Sequence, residues 1–210
     1  MPCSTERVWY VSYGSNMAAS RLRYYLTGGT PPGARRPHPG ARDPRRPRAA
    51  RGISIPGEVY FARRSTLWGG GIAFFDPSAP GVTAARAYLV SRGQFSDIAA
   101  QEMRRAPGSD LDLSRALATG RDELGPGWYD TLLHLGDLDG IPQLTFTAPG
   151  SADAAVPNAP ARAYLQVLAQ GLREAHDWEP AEVSSYLSQL SGARGSWSHA
   201  AISELLADAA

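Results

Sequence analysis

The sequence predicts an α+β fold on three observations. Short apolar runs bounded by Gly and Pro recur through roughly the first 150 residues, a pattern typical of strands. Apolar residues at three- and four-residue spacing fill the last third of the chain, a pattern typical of helices. The 210 residues, of which 43% are hydrophobic, suffice for one globular domain with a sizeable core.

The chain begins with a predicted strand over residues 8–13, which leads through Gly14, Ser15 and Asn16 into a helix over residues 17–26. Later elements are predicted in chain order. The strands cover residues 58–62, 71–75, 85–90, 128–135 and 142–147, the last two forming a hairpin, and the helices cover residues 94–105, 161–176, 181–190 and 197–207.

Two segments do not fit this pattern. Residues 31–51 are rich in Pro, Gly and Arg and predict an extended or mobile loop. Residues 106–127 form a polar, weakly helical insertion. We expect residues 1–175 to form one domain that carries both segments, and residues 176–210 to form a helical extension packed on it.

Composition indicates a bacterial, cytoplasmic protein. All 21 basic residues are Arg, which we interpret as the coding bias of a GC-rich bacterial genome. Cys3 is the single cysteine, which excludes a disulfide framework. The sequence shows neither an apolar run of membrane-spanning length nor a signal peptide, and the net charge of +1 argues against a membrane or nucleic-acid role for the whole chain.

The turn Tyr13-Gly14-Ser15-Asn16 is the first candidate site. A strand that turns into a helix leaves backbone N–H groups near the positive end of the helix, where a carboxylate, phosphate or oxyanion binds. Ser and Asn also favour helix N-caps, so on local chemistry alone a purely structural cap, with Ser15 or Asn16 as the capping residue, is the commoner reading of this turn.

Glu102 is the second candidate. Helical spacing places it on the same stripe as Phe95, Ile98, Ala99 and Met103, where an apolar side chain is expected. A desolvated carboxylate there acquires the raised pKa of a general base. The alternative is that Glu102 lies near the helix end and pairs with Arg105 or reaches solvent.

The basic segment offers a different function. Seven arginines stand within about seventeen residues and could bind RNA phosphates or an acidic partner. They are Arg35, Arg36, Arg42, Arg45, Arg46, Arg48 and Arg51. No aromatic residue lies between them to stack on bases, which favours a solvated loop.

Other polar groups give weaker signals. The histidines, His38, His134, His176 and His199, lack metal-ligand spacing. Ser15 lacks the Gly-x-Ser-x-Gly context of an acylated nucleophile. Gly69 to Gly71 do not form a nucleotide-binding loop, because they lack both its glycine spacing and a following helix. Asp137 and Asp139 are interpreted as turn formers.

Taken together, four elements in order resemble the γ-glutamylcyclotransferase family, including its AIG2-like and butirosin-pathway members. The turn at Tyr13 resembles the family's YGSN turn, and Trp68-Gly69-Gly70-Gly71 resembles its Trp-x-Gly-Gly strand entry. Residues 87–102 are similar to its strand, turn and helix ending in a catalytic glutamate, and residues 160–164 to its Pro-rich lead into a Tyr-bearing helix.

The resemblance implies a small mixed β-barrel of about five to seven strands with flanking helices, and an enzyme that needs no cofactor or metal. It implies that the α-amine of a γ-glutamyl compound attacks the γ-carbonyl and releases 5-oxoproline and an amine or amino acid, with Glu102 as general base and acid. Tyr13, Gly14, Ser15, Asn16 and Tyr164 would bind the substrate.

The same resemblance places Trp68 and Gly69 at the pocket. We expect a small-molecule substrate, no membrane, and a monomer or homodimer. The alternative from another functional class is a non-catalytic binding module on the same fold, which senses a small carboxylate or an acidic partner through the basic segment.

Overall fold

The computed structural model describes residues 6–34 and 36–208, so Cys3 and Arg35 lie outside the described residues. This part of the chain contains eight strands, six α-helices and a 3₁₀ turn at Ser15–Met17. The strands are β1 (Arg7–Ser12), β2 (Ala49–Pro56), β3 (Glu58–Ala62), β4 (Ile72–Asp76), β5 (Val82–Ser91), β6 (Arg121–Glu123), β7 (Thr131–Leu138) and β8 (Ile141–Thr147). The helices are α1 (Ala19–Thr27), α2 (Arg92–Glu102), α3 (Ser114–Thr119), α4 (Arg162–His176), α5 (Pro180–Gln189) and α6 (His199–Ala207).

The chain forms two compact units that alternate along the sequence, and β2 and β5 each pass from one to the other. Of the described residues, the first unit contains 6–12, 22–34, 36–51 and 87–149, and the second contains 13–21, 52–86 and 150–208. The division into a domain of residues 1–175 and an extension stays a prediction.

The larger sheet has the strand order β2-β5-β1-β8-β7-β6 and is mixed. β1 runs parallel to β8, with Trp9 opposite Gln143, whereas β7 is antiparallel to both β8 and β6. With helices α1 to α6, this mixed sheet confirms the predicted α+β fold. β2 and β6 were not among the strands predicted along the chain.

The core of the first unit forms between this sheet and α2. The rings of Tyr10, Phe95 and Phe146 contact one another at centroid distances of 5.4 to 6.2 Å. Ile98 and Met103 extend the same cluster along α2. The apolar stripe predicted on this helix is therefore correct.

The β7–β8 hairpin differs from the predicted one. Asp139 and Gly140 form its turn with φ of 52° and 70°, which fits the two-residue turns that Asp-Gly favours. The strand shifts register between His134 and Asp137, so the earlier Gly136, which we assigned to the loop, lies within β7. The bulge, rather than a longer loop, accommodates the extra residues.

The basic segment, predicted to be an extended or mobile loop, forms no helix or strand among its described residues before β2, and two sets of contacts connect it to the rest of the first unit. Gly29 and His38 form a bridge closed by two backbone hydrogen bonds, and the buried carboxylate of Asp97 accepts hydrogen bonds from Arg42. β2 then begins at Ala49. Its exposed residues are mostly small or basic, so the sequence carries little apolar alternation there. In the predicted insertion, α3 and β6 provide short regular structure.

The second unit contains a two-stranded sheet of β3 and β4, in which Tyr60 lies opposite Phe74. On the edge of β3 that does not pair with β4, Phe61 forms two backbone hydrogen bonds. Its N–H donates to Ser191 O, and its carbonyl accepts from Asn158 N. Helices α5 and α6 pack together, and both contact α4. Among the described residues, no helix is both long and apolar enough to cross a bilayer.

Candidate functional site

The turn after β1 is a 3₁₀ turn, not the direct start of α1. The N–H groups of Met17 and Ala18 donate to the carbonyls of Gly14 and Ser15 at 3.0 and 3.2 Å. No side chain caps this turn, so the reading of Ser15 or Asn16 as a helix N-cap is wrong. Within the described part of the chain, the backbone N–H groups of Gly14 and Ser15 make no hydrogen bond.

Glu174 of α4 occupies the N-terminus of α1. Its Oε2 accepts a hydrogen bond of 2.9 Å from Ala19 N and also pairs with Arg86, whose Nη1 donates to Met17 O at 2.8 Å. An internal carboxylate thus satisfies the positive end of the helix, which we had expected to face a ligand. The N–H group of Ala19 is therefore not available to a ligand, whereas the N–H groups of Gly14 and Ser15 in the turn are.

Helix α4 supports the turn at close range. A Cβ built on Gly171 would lie 2.5 Å from Cβ of Met17 and 2.7 Å from Ala18 N. Both distances are too short for a real contact, so glycine is required for the backbone of α4 to approach the turn. In the sequence, the only indication of this close approach is an isolated glycine within a predicted helix.

Tyr164, also on α4, joins the turn to β4. Its hydroxyl accepts a hydrogen bond of 3.2 Å from Ala73 N, and only 3% of the residue is exposed. The same oxygen lies 3.5 Å from the position of a Cβ on Gly14, an ordinary contact distance. The structure therefore brings together two of the predicted substrate-binding residues, Tyr164 and Gly14.

Trp68 extends this group on its other side. Its ring is half-buried, 5.2 Å from the ring of Tyr164 and 5.5 Å from the guanidinium carbon of Arg21. Arg21 is 7% exposed and was missed, although it stands five residues after Asn16 on α1. It brings a buried positive charge to the group that contains Trp68 and Tyr164.

The glycines after Trp68 have different roles. Gly69 is exposed with φ of 83° and open space around it. A Cβ on Gly71 would lie 2.0 Å from Asn158 O, and one on Gly70 would lie 2.6 Å from Ala159 O. The strand entry therefore needs glycine for close backbone packing against the segment that leads into α4.

Tyr13 and Asn16 are both buried, at 6% and 3% exposure. The ring of Tyr13 packs on Phe75 of β4 at a centroid distance of 5.4 Å. The side chains of Tyr13 and Asn16 are therefore buried within the second unit, while Ser15 is half-buried beside Gly14.

Glu102 is the last residue of α2 and is half-buried. It belongs to the first unit, whereas the turn belongs to the second, and the prediction that they share a pocket stays a prediction. The alternative pairing with Arg105 is not observed, since Arg105 pairs with Asp130 at 2.9 Å.

The fully buried carboxylate of α2 is Asp97, which sequence reasoning missed. Its side chain is 1% exposed, and its Oδ2 accepts hydrogen bonds from the backbone N–H and Nε of Arg42 at 2.8 and 3.0 Å. The guanidinium of Arg42 also binds Asp110 at 2.6 Å. The two partners are 55 residues apart in the sequence, so no local pattern indicates this pairing.

Three of the clustered arginines have acidic partners. Arg42, described above, is the first. Arg45 is the second: it binds Asp43, and this contact lowers the pKa of the Asp43 carboxyl to about 2. Arg51 binds Asp139 at 2.6 Å and lies 5.2 Å from the Trp9 ring centroid. Within the described chain, Arg36, Arg46 and Arg48 are exposed and form no ion pair.

The described histidines make separate contacts. His38 packs on Tyr25, His134 contacts Asp137, and His176 bonds to Ala85 O at 3.1 Å. No group of three or more His, Cys, Asp or Glu residues in the described chain could hold a metal ion. A cavity of about 300 Å³ lies in the second unit and contains none of the predicted site residues. Its lining residues are Pro157, Ala159, Ser191, Gly192, Arg194 and Ser196.

The comparisons with known proteins bear on the fold more than on the activity. No protein-family model matches the chain. Over 202 residues it is 32% identical to histone deacetylase 5 of Arabidopsis thaliana, a match that covers 87% of this chain and 30% of that protein. The chain thus spans less than a third of that relative, whose name assigns no activity to this segment.

Two solved structures have a similar fold. Uncharacterized protein loc79017 from Homo sapiens superposes with a TM-score of 0.52 at 14% identity, covering 88% of each chain. A gamma-glutamyl cyclotransferase superposes with a TM-score of 0.51 at 13% identity, covering 97% of this chain and 99% of the other. At such identities the likeness concerns the fold alone, and the chain has the fold of gamma-glutamyl cyclotransferase.

Proposed function

We propose that this protein is a γ-glutamyl cyclotransferase. The α-amine of the substrate attacks its γ-carbonyl carbon, a new C–N bond closes the five-membered ring, and the C–N bond to the leaving amine breaks. A base removes one proton from the attacking nitrogen, and the same group returns a proton to the leaving nitrogen. The products are 5-oxoproline and an amine or amino acid, and no cofactor takes part.

The observation that carries this proposal is the turn at Tyr13 to Asn16. The N–H groups of Gly14 and Ser15 make no hydrogen bond in the described chain and belong to a turn that packs closely against α4. Fixed donors stabilise an oxyanion without reorganising when charge develops. Tyr164, in contact with Gly14, would limit where the glutamyl chain lies.

Arg21 supports an anionic ligand in the same unit. Its buried guanidinium lies over Trp68, which contacts Tyr164. A buried cation favours a carboxylate nearby, and the glutamyl group carries one. Trp68 and Gly69 would form the outer part of this pocket.

Glu102 is the proposed base. Its place at the end of α2 and its partial burial suit a group that exchanges protons with a substrate. Its assignment also rests on the family resemblance of residues 87–102. The bacterial and cytoplasmic setting, the AIG2-like subtype and the monomer or homodimer remain part of the proposal.

A substrate panel tests the activity. The protein would be incubated with γ-glutamyl amino acids, γ-glutamyl amines and glutathione, and 5-oxoproline would be measured by mass spectrometry. At least one compound should yield 5-oxoproline and free amine in equal amounts. The alternative of a binding module, to which the exposed Arg36, Arg46 and Arg48 would contribute, predicts saturable ligand binding with no 5-oxoproline from any compound.

A further inference from the structure

The chain directly after α2 is bound by residues 125–130. Arg105 donates from Nη2 to Asp130 Oδ2 at 2.9 Å and to Leu124 O at 3.4 Å. The Asp130 side chain is 8% exposed, so this ion pair is largely shielded from water on the acidic side. The backbone of Asp130 in turn accepts a hydrogen bond of 2.8 Å from Leu124 N.

Residues 125–130 close tightly around the Asp130 carboxylate. Gly127 N donates to Oδ2 at 3.3 Å. A Cβ on Gly125 would lie 2.5 Å from Oδ2, and one on Gly127 would lie 2.7 Å from Cγ, so neither position accepts a larger residue without a shift. The carboxylate that holds Arg105 is therefore itself fixed in place.

Arg104 shows a second contact with the same segment. Its φ of 58° is left-handed, a conformation that is unfavourable for residues with a side chain and persists where the surroundings enforce it. Its guanidinium carbon lies 5.2 Å from the centroid of the Trp128 ring. Two successive residues after α2 are thus held by residues 125–130.

The last turn of α2 is also anchored before Glu102. Gln101 donates from Nε2 to Tyr25 O at 2.9 Å, and Arg105 N donates to Ala100 O at 2.7 Å. Glu102 therefore lies between one anchor on α1 and a second anchor on residues 125–130. Helix ends without such contacts fray.

We infer that residues 125–130 act as a clamp that positions Glu102, and that Arg105 is a positioning residue acting through Asp130. This inference rests on the proposed function, in which Glu102 moves the protons. The clamp ends α2 at Glu102 because it stabilises the left-handed backbone conformation of Arg104 and binds Arg105 through the ion pair with Asp130. Displacing a reacting group by about 1 Å lowers a rate about 100-fold, so the position of this helix end affects turnover.

Arg105→Ala tests the clamp, since the Arg105 side chain is nearly half exposed and its loss removes the ion pair. Hydrogen exchange of the amides of Met103 to Arg105 should accelerate about tenfold or more. With the best γ-glutamyl substrate, kcat should fall about tenfold or more while KM changes less than about threefold, as expected when orientation and not binding is lost. Arg105→Lys, which keeps the positive charge, should recover much of both losses.

Arg115→Ala is the matched control, because Arg115 pairs with Asp122 elsewhere in the first unit. It should leave both kcat and exchange at α2 as in the wild type. The inference is overturned if Arg105→Ala exchanges like the wild type, or if exchange accelerates and kcat does not change. If the wild type forms no 5-oxoproline, the proposed function fails, and exchange alone then supports or overturns the clamp.

Discussion

The carboxylate of Glu174 accepts a hydrogen bond of 2.9 Å from the backbone nitrogen of Ala19, the first residue of α1. The positive end of this helix is therefore satisfied from within the protein. What remains for a ligand beside it is the turn that precedes the helix, with the N–H groups of Gly14 and Ser15.

Glu174→Gln should destabilise the fold by about 2 kcal/mol, because it removes a carboxylate that binds both Arg86 and a helix N-terminus. Urea unfolding followed by circular dichroism would measure this loss. Glu204→Gln, on the exposed side of α6, is the control and should change stability by less than about 0.5 kcal/mol. Equal stabilities of the two variants would contradict the role given to Glu174.

Gly14→Ala should weaken substrate binding and leave the stability of the fold nearly unchanged. The added Cβ would meet Tyr164 Oη at 3.5 Å and Ala73 Cβ at 3.7 Å, so stability should change by less than about 1 kcal/mol. The methyl group would nevertheless narrow the proposed substrate pocket and raise KM. Unfolding curves and steady-state kinetics would check the two expectations.

Gly171→Ala should show the opposite behaviour to Gly14→Ala. Its Cβ would clash with Met17 and Ala18, and overpacking of this kind costs about 1–3 kcal/mol. Gly150→Ala, where a Cβ meets open space, controls for the change of residue type. A Gly171→Ala protein as stable as Gly150→Ala would contradict the close packing of α4 on the turn.

The sequence predicted the parts of the site that depend on local pattern. The turn at Tyr13, the glycines after Trp68 and Tyr164 are recognisable as short motifs, and the structure brings Gly14, Trp68 and Tyr164 together in the second unit. Glu174 and Arg86 were not predictable, since their roles depend on packing between residues 88 positions apart.

The same limit explains the errors in the fold. β2 was missed because it has few buried residues and its exposed residues are mostly small, with one arginine, which weakens the alternation that marks a strand. Helical spacing placed Glu102 on the apolar stripe of α2, and it is half-buried at the last residue of the helix. The fully buried carboxylate of this helix is Asp97, whose charge Arg42 compensates, and helical spacing gave no sign of that pairing.

Asp97→Asn should destabilise the protein by about 2 kcal/mol, since two hydrogen bonds from Arg42 lose their charged acceptor at a buried site. Asp43→Asn breaks a more exposed pair with Arg45 and should cost less than about 1 kcal/mol. Chemical denaturation of both variants is the test. A cost for Asp97→Asn no larger than for Asp43→Asn would show that Asp97 does not anchor the basic segment.

Acid should weaken the second unit through His176. Burial lowers the pKa of this ring below its ordinary value of 6.5, so the unfolded state binds the proton first as pH falls. The contribution of His176 to stability is therefore present above pH 6.5 and is lost as pH falls through its lower folded pKa. Thermal unfolding between about pH 7.5 and about pH 5 should show this slope.

His176→Gln should flatten that slope, whereas His199→Gln, at an exposed position, should leave it unchanged. Fluorescence of Trp178, whose ring lies 5.1 Å from His176, provides a local signal. Identical slopes for the wild type and His176→Gln would assign the acid sensitivity to other groups.

The most direct test of the central claim is the rate of 5-oxoproline formation by the wild type and by Glu102→Gln with the same γ-glutamyl substrate. The substitution keeps the shape of the side chain and removes its basicity, so kcat should fall about 100-fold or more while the unfolding midpoint stays the same. A Glu102→Gln protein with wild-type kcat, or a wild type that forms no 5-oxoproline from any γ-glutamyl compound, would contradict the account.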